Sequence, residues 1–268
     1  MAAFEDCMEV EFKFIPSETE GGTVAWFADM FAPAYGFARW PPCANLDIYL
    51  DTPDLRLYRA NTPLRLRRWA TPFKLKQGIS ANFKYPAEPG EGLRRRELKT
   101  ILTEEQARQV CDGLIVGETL EHAARSAGLA PDGPVRFAPI AVVATLQSLY
   151  VLRPRVPGGV TALERGKESD LLLLTFEHCT VQEVPEMDLP RFLRNGMLDV
   201  DPARPSAEFF EAELEIIASM NHFDDAEELY RKAFYAVRGR GVQMPSRSKY
   251  TAAIKAINGH DKRLGPQK

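Results

Sequence analysis

Four cysteines are spread through 268 residues, at positions 7, 43, 111 and 179, with no C-x-x-C pair and no zinc-ligand spacing. A disulfide framework and a structural zinc site are therefore not expected, and reduced, partly buried thiols are. Long apolar runs are also missing. The longest, such as residues 171–174, fall far short of the roughly 20 residues that cross a bilayer. The first 13 residues are acidic and turn polar at once, unlike a secretory signal. A cytoplasmic protein with no membrane partner is expected. Charge of one sign is not in excess either: 34 Lys and Arg face 37 Asp and Glu, a net charge of -3. Nothing global points to a nucleic acid polymer. The four histidines, at 122, 178, 222 and 260, show no metal-ligand spacing. Gly90-Glu91-Gly92 lacks the strand-to-helix setting of a nucleotide loop. No internal repeat is present.

What the sequence does have is alternation. At 45% hydrophobic and 26% charged, it can build a sizeable core. Residues 8–14 alternate charged and apolar, the period of a strand. Residues 46–51, 64–68, 80–85, 93–98, 140–152, 170–179 and 209–216 also read as strands. Helices are expected over 23–31, from the capping box Thr103-Glu104-Glu105-Gln106 to Gly113, over 118–127, 189–195 and 224–237. About eight strands on short loops, with helices between them, predict an α+β chain: an antiparallel β-barrel with helices packed outside.

Parity carries the functional signal. Residues two apart on a strand share a face. Glu9, Glu11 and Lys13 share one face, as do Arg65 and Arg67, then Arg95, Glu97 and Lys99, then Glu211, Glu213 and Glu215. Each strand alone reads as a half-solvated sheet face. As a set they place carboxylates on the first and last strands and cations on the middle ones. In a closed barrel these faces meet across an interior that no dry core could hold. A polyphosphate with hard, oxygen-loving divalent cations uses both signs.

Glu9-x-Glu11-x-Lys13 resembles the first-strand mark of the CYTH superfamily, the triphosphate tunnel metalloenzymes. Residues 49–55 (Tyr-Leu-Asp-Thr-Pro-Asp-Leu), Leu64-Arg65-Leu66-Arg67, Lys84, Arg95-Arg96-Glu97, Glu213-Leu214-Glu215 and residues 245–250 (Pro-Ser-Arg-Ser-Lys-Tyr) resemble further motifs of that family, in the family's order. The resemblance runs from Glu9 to about Tyr250. It implies an eight-stranded tunnel, one domain over 1–250, that cleaves or cyclises a triphosphate-containing small molecule with Mg²⁺ or Mn²⁺. By this resemblance Glu9, Glu11, Glu213 and Glu215 hold metal, and Glu9, Glu11 and Lys13 are catalytic. Lys13, Arg65, Arg67, Lys84, Arg95, Glu97, Arg247 and Lys249 bind substrate.

Two departures stand out. Lys99 occupies a position where the family usually has a glutamate, which adds a cation to the lining. The strand around Gln147 carries no basic residue before Arg153. Three readings follow: a metal-dependent triphosphatase, acting on tripolyphosphate or on a nucleoside or thiamine triphosphate; an adenylate cyclase; and a non-catalytic polyphosphate-binding module. Elsewhere, Glu177 reads as a solvated edge residue, the three tryptophans as core or loop anchors, and residues 251–268 as a frayed basic tail.

Overall fold

The computed structural model describes residues 4–70, 77–86, 93–130, 135–155, 169–183, 207–245 and 247–257. Eight strands close into a barrel: β1 (Phe4–Phe14), β2 (Tyr35–Asp51), β3 (Leu64–Ala70), β4 (Gln77–Pro86), β5 (Leu93–Leu102), β6 (Ala138–Pro154), β7 (Leu172–Glu183) and β8 (Ala207–Ile216). Their order around the barrel is β1-β5-β4-β3-β2-β6-β7-β8, antiparallel throughout. Strand β1 closes the ring by pairing with β5 along its first half and with β8 along its second. Among the described residues six helices surround the strands: α1 (Glu20–Phe31), α2 (Arg56–Ala60), α3 (Glu104–Cys111), α4 (Glu118–Ser126), α5 (Phe223–Gly239) and α6 (Lys249–Ile257). The helix expected over 189–195 lies outside the described residues.

The capping box at Thr103 is formed: Thr103 Oγ1 accepts from the Gln106 amide and Gln106 Oε1 from the Thr103 amide. Gly113 follows that helix with φ +85°, a conformation that stops helices and suits glycine.

Much of the strands' apolar face points outward and is covered by helices, while Met8, Leu146 and Phe210 stay exposed on it. Val10, Phe12, Phe14, Leu174 and Leu214 pack against Phe27 and Phe31 of α1 and against Tyr230 and Ala233 of α5. Ile48, Leu66, Ala81, Phe83 and Leu98 pack against Leu57 of α2, Val110 of α3 and Leu120 of α4. The charged faces that a simple sheet would give to water are thereby turned inward.

One end of the barrel is closed by α6. Tyr250, Ala253 and Ile254 pack on the interior-facing Tyr49, Val143, Cys179, Val181 and Phe209. This corrects the expectation of a frayed tail from 251 onward: Thr251–Ile257 is helical, and Ala252, Ala253, Ile254 and Ala256 are buried. The small and apolar residues of this stretch face the barrel; Lys255 is the exposed one. Residues 258–268 lie outside the described part.

Candidate functional site

The register sets the lining. Cross-strand pairs Glu11 with Glu215, Lys13 with Glu213, Glu9 with Arg95, Asp47 with Arg67, Lys84 with Glu97 and Glu177 with Glu211 all share the interior face. Inside, six cations (Lys13, Arg65, Arg67, Lys84, Arg95 and Lys249) meet eight carboxylates (Glu9, Glu11, Asp47, Glu97, Glu177, Glu211, Glu213 and Glu215) among the described residues.

A cavity lies in this lining, bounded by Glu11, Lys13, Tyr49, Pro63, Arg65, Asn82, Lys84, Arg95, Ser248 and Lys249. Five of these ten residues are cations and one is a carboxylate. Arg95 is buried, its Nη2 has no hydrogen-bond partner, and it forms no ion pair among the described residues. Arg65 is also buried. It reaches Asp47 at 3.3 Å and Glu97 at 3.4 Å, while its Nε has no partner. Buried guanidinium N–H groups without acceptors are costly. Those of Arg65 and Arg95 fit an anion in the cavity.

The carboxylates fall into two groups. Glu177, Glu211 and Glu213 bring oxygens within 4.8 Å of one another, a spacing that suits a metal ion. Lys249 reaches Glu177 at 2.6 Å and Glu213 at 2.7 Å, and Lys13 reaches Glu211 at 3.3 Å and also contacts Glu213. The second group is Glu9, Glu11 and Glu215, with Lys84 paired to Glu9. Burial works against ionisation of Glu11, yet Lys84, Lys13, Lys249 and Arg95 outweigh it and hold its carboxyl well below the usual range. Glu215 goes the other way. Loss of hydration, then the charges of Glu9 and Glu11, push it up to about 8. Hard oxygen donors at the spacing of Glu177, Glu211 and Glu213 fit a divalent cation, while Glu9, Glu11 and Glu215 are brought near one another by register and feel one another's charge.

A model of the CYTH domain matches residues 8–233. The chain belongs to the CYTH family. Among solved structures, a candidate adenylate cyclase from Bacillus halodurans matches with a TM-score of 0.50 at 16% identity, covering 92% of this chain and 97% of that one. The Hippeastrum protein HpAC1, a candidate adenylyl cyclase described as revealing a dominant triphosphatase activity, matches with a TM-score of 0.50 at 13% identity, covering 100% and 99%. At such identities the likeness concerns the fold. A comparison with curated proteins finds no significant match.

Of the residues singled out in this CYTH chain by sequence, Glu11, Lys13, Arg65, Lys84, Arg95 and Lys249 border the cavity. Glu9, Glu97, Glu213 and Glu215 stand behind them in the lining, tied to cavity cations or to Glu11. Arg247 is half-buried just ahead of α6. Arg67 is placed differently. It makes a two-pronged contact with Asp47, Nε and Nη2 each at 2.7 Å, and does not border the cavity. Arg67→Ala would leave Asp47, which is fully buried, with only Arg65. Arg65 and Arg67 together outweigh burial and hold Asp47 at about 2. Breaking such a pair typically costs about 3–5 kcal/mol. The expected outcome is a large drop in urea midpoint, partly restored in the Arg67→Ala/Asp47→Ala double variant; an unchanged midpoint would mean that the pair contributes nothing.

Lys99 does not reach the cavity. It pairs with Glu5 at 3.0 Å, and both side chains are partly exposed. Although it shares the Arg95 and Glu97 face and stands opposite Asn82, its ammonium is turned to Glu5. Glu177 corrects the sequence reading: it is 2% exposed and interior, held by Lys249 and Gln147. Gln147 accepts from Asn45 at 2.8 Å and donates to Glu177, so the strand without cations supplies a bridge that orients an acid. Arg153 is spent on Asp170. Asp47 and Glu177 were findable by parity once the register of β2 and β7 was known, and not before.

The raised Glu215 has a stability consequence with a definite sign. In the unfolded chain a glutamate loses its proton near 4.5; in the folded chain Glu215 keeps it to about 8. Between these values folding takes up a proton, so metal-free stability falls as pH rises from about 4.5 to about 8 and levels off above. Glu9, also raised by burial and by Glu11, adds to the same slope. Glu11 and Asp47, held low, act only below this window. Urea unfolding across the window should show the decline, and Glu215→Gln should flatten it; an identical slope in that variant would reassign the proton.

Proposed function

We propose that the chain is a metal-dependent triphosphatase that hydrolyses a phosphoanhydride bond of a triphosphate held in the barrel, inorganic tripolyphosphate being the substrate the cavity suits best. The observation that carries this reading is the buried Arg95, whose Nη2 has no hydrogen-bond partner among the described residues, facing a cavity otherwise ringed by Lys13, Arg65, Lys84 and Lys249. A row of cations around a narrow space binds a row of phosphates.

The interior already carries more carboxylates than cations. A triphosphate adds several negative charges, so binding it calls for positive charge that the chain does not supply. Glu9, Glu11 and Glu215 on one side, and Glu177, Glu211 and Glu213 on the other, would hold Mg²⁺ or Mn²⁺. A divalent cation bound there would neutralise phosphate oxygens and favour ionisation of an attacking water. The chain's own part is positioning. Arg65, Arg95 and Lys84 hold the phosphate oxygens, Glu11 stays ionised to keep its metal-ligand capacity, and Lys249 fixes the substrate from the closed end. In phosphoryl transfer such positioning and charge neutralisation constitute most of the catalysis.

Cyclisation of ATP is supported less. A purine needs an apolar slot, and the cavity's apolar lining is Tyr49 and Pro63, with Tyr49 already stacked on Tyr250 at 5.0 Å. A purely binding module fits less well too, because Lys99 stays outside the cavity and leaves both acid clusters in place. The test is incubation with tripolyphosphate, ATP and thiamine triphosphate, each with Mg²⁺ or Mn²⁺, followed by assay of phosphate, pyrophosphate and cyclic AMP. Metal-dependent phosphate release supports hydrolysis. Cyclic AMP with pyrophosphate, or tight binding without turnover under either metal, overturns it.

A further inference from the structure

The segment Tyr49-Leu50-Asp51-Thr52-Pro53-Asp54-Leu55 contributes only Tyr49 to the cavity, and its most buried acid has no role in the chemistry above. Asp51 is fully buried at the end of β2. Its Oδ1 accepts from the Thr52 and Leu57 amides at 2.7 and 2.9 Å. Its Oδ2 accepts from the Tyr58 amide at 2.8 Å and from the Tyr250 hydroxyl at 2.7 Å. Three of these four donors are backbone groups, Thr52 in the turn before α2 and Leu57 and Tyr58 in its first turn. The turn before α2 contains Leu55 at φ +55°, a conformation that costs a non-glycine residue free energy and persists only where its surroundings hold it. Asp51 supplies that hold, and its fourth bond reaches across to α6.

Tyr250 is thereby seated from three sides. It stacks on Tyr49 at 5.0 Å, meets Tyr58 edge-on at 6.0 Å, and donates its hydroxyl to Asp51. The next residue back is Lys249, the first residue of α6, whose ammonium borders the cavity and reaches Glu177 and Glu213. A lysine side chain is long and loses much rotamer freedom when fixed. Lys249 occupies one place because the backbone beneath it does.

We infer that Asp51 and Tyr250 are positioning residues: their hydrogen bond latches α6 onto the end of the barrel and so sets the Lys249 ammonium in the phosphate cavity. The latch deepens the triphosphatase reading and rests on it only for the identity of the ligand. Burial, then the charge of Asp51, raises the Tyr250 hydroxyl well above its ordinary range, so it remains a donor at any working pH. The latch also accounts for a motif that lies on the second strand yet is far in sequence from the element it serves.

The experiment uses the full chain and the variants Tyr250→Phe, Lys249→Gln and the double variant. Tyr250→Phe keeps both ring contacts and loses only the hydroxyl. Two readouts are taken: the rate of Lys249 modification by an amine-reactive reagent, followed by mass spectrometry without any ligand, and tripolyphosphate affinity by calorimetry. Expected are a several-fold faster modification of Lys249 in Tyr250→Phe with an unchanged circular dichroism spectrum, and a several-fold weaker tripolyphosphate affinity. In the Lys249→Gln background, Tyr250→Phe should weaken binding no further. Unchanged Lys249 protection, or losses that simply multiply in the double variant, would overturn the latch. Faster Lys249 modification with tripolyphosphate affinity absent even in the unaltered chain would uphold the latch and overturn the triphosphate reading instead.

Discussion

Glu11→Gln is expected to lower metal-dependent phosphate release by roughly 100- to 1,000-fold, the range seen when one preorganised electrostatic contact is removed from an active site. The substitution keeps size and shape and deletes one charge. Among the described residues Glu11 is the only carboxylate bordering the cavity, it is 3% exposed, and it faces Glu215 across the β1–β8 pair. It is also the acid that four cations hold ionised, so glutamine loses a metal ligand and leaves those cations less compensated. Some loss of stability should accompany the loss of rate. Rates are therefore compared at a temperature where circular dichroism shows the variant fully folded, over a titration of Mn²⁺. An unchanged rate at saturating metal would remove Glu11 from the metal site.

Arg95→Ala is expected to have the second largest effect, and of a different kind. A charge-assisted hydrogen bond is worth about 1.5–3 kcal/mol, so losing the Arg95 contact should weaken tripolyphosphate binding about 10- to 100-fold. The loss should appear mainly in KM, since the contact is made to bound substrate as well as to the transition state. Stability should not fall with it. Unlike Arg67, which neutralises Asp47, Arg95 has no ion pair among the described residues, and Glu11, which it helps to hold ionised, keeps Lys84, Lys13 and Lys249. Calorimetry and a urea melt on the same preparation decide the matter. A destabilised Arg95→Ala with unaltered affinity would make Arg95 a structural cation and leave the phosphate site without its central contact.

The contrast between Arg67 and Arg95 measures what could be read in advance. Both sit on charged strand faces, two residues from another charged group, and alternation places both indoors. Nothing in the sequence distinguishes the one that meets an acid from the one that does not. That depends on which residue of β2 stands opposite Arg67, and β2 reaches it through the register of a 17-residue strand. Lys99 makes the same point in reverse. Its parity is that of Arg95 and Glu97, but its ammonium is turned to Glu5. Parity decides a side of the sheet and is silent about the partner met there.

Glu9, Glu11 and Lys13 were legible as a charged face because strand period, charge order along the chain and the neighbouring motifs all agree, and the register turns that face inward. Residues 251–257 were misread because a short helix rich in alanine, with lysines at 249 and 255, looks like a solvated tail until its partner surface is known. That surface is built by Tyr49, Val143, Cys179 and Phe209 from four separate strands.

By itself, then, the sequence determined which residue types share a face, that one face is charged and the other apolar, and which family these motifs belong to. These follow from local geometry, in which side chains alternate with a period of two. The tertiary structure decided the rest. Closure of the barrel turned the charged faces inward, register paired Arg67 with Asp47 and left Arg95 open, and α6 brought Lys249 to the cavity from the far end of the chain. Each of these is a contact between residues distant in sequence, set by how eight strands stagger and close, and no local pattern encodes it.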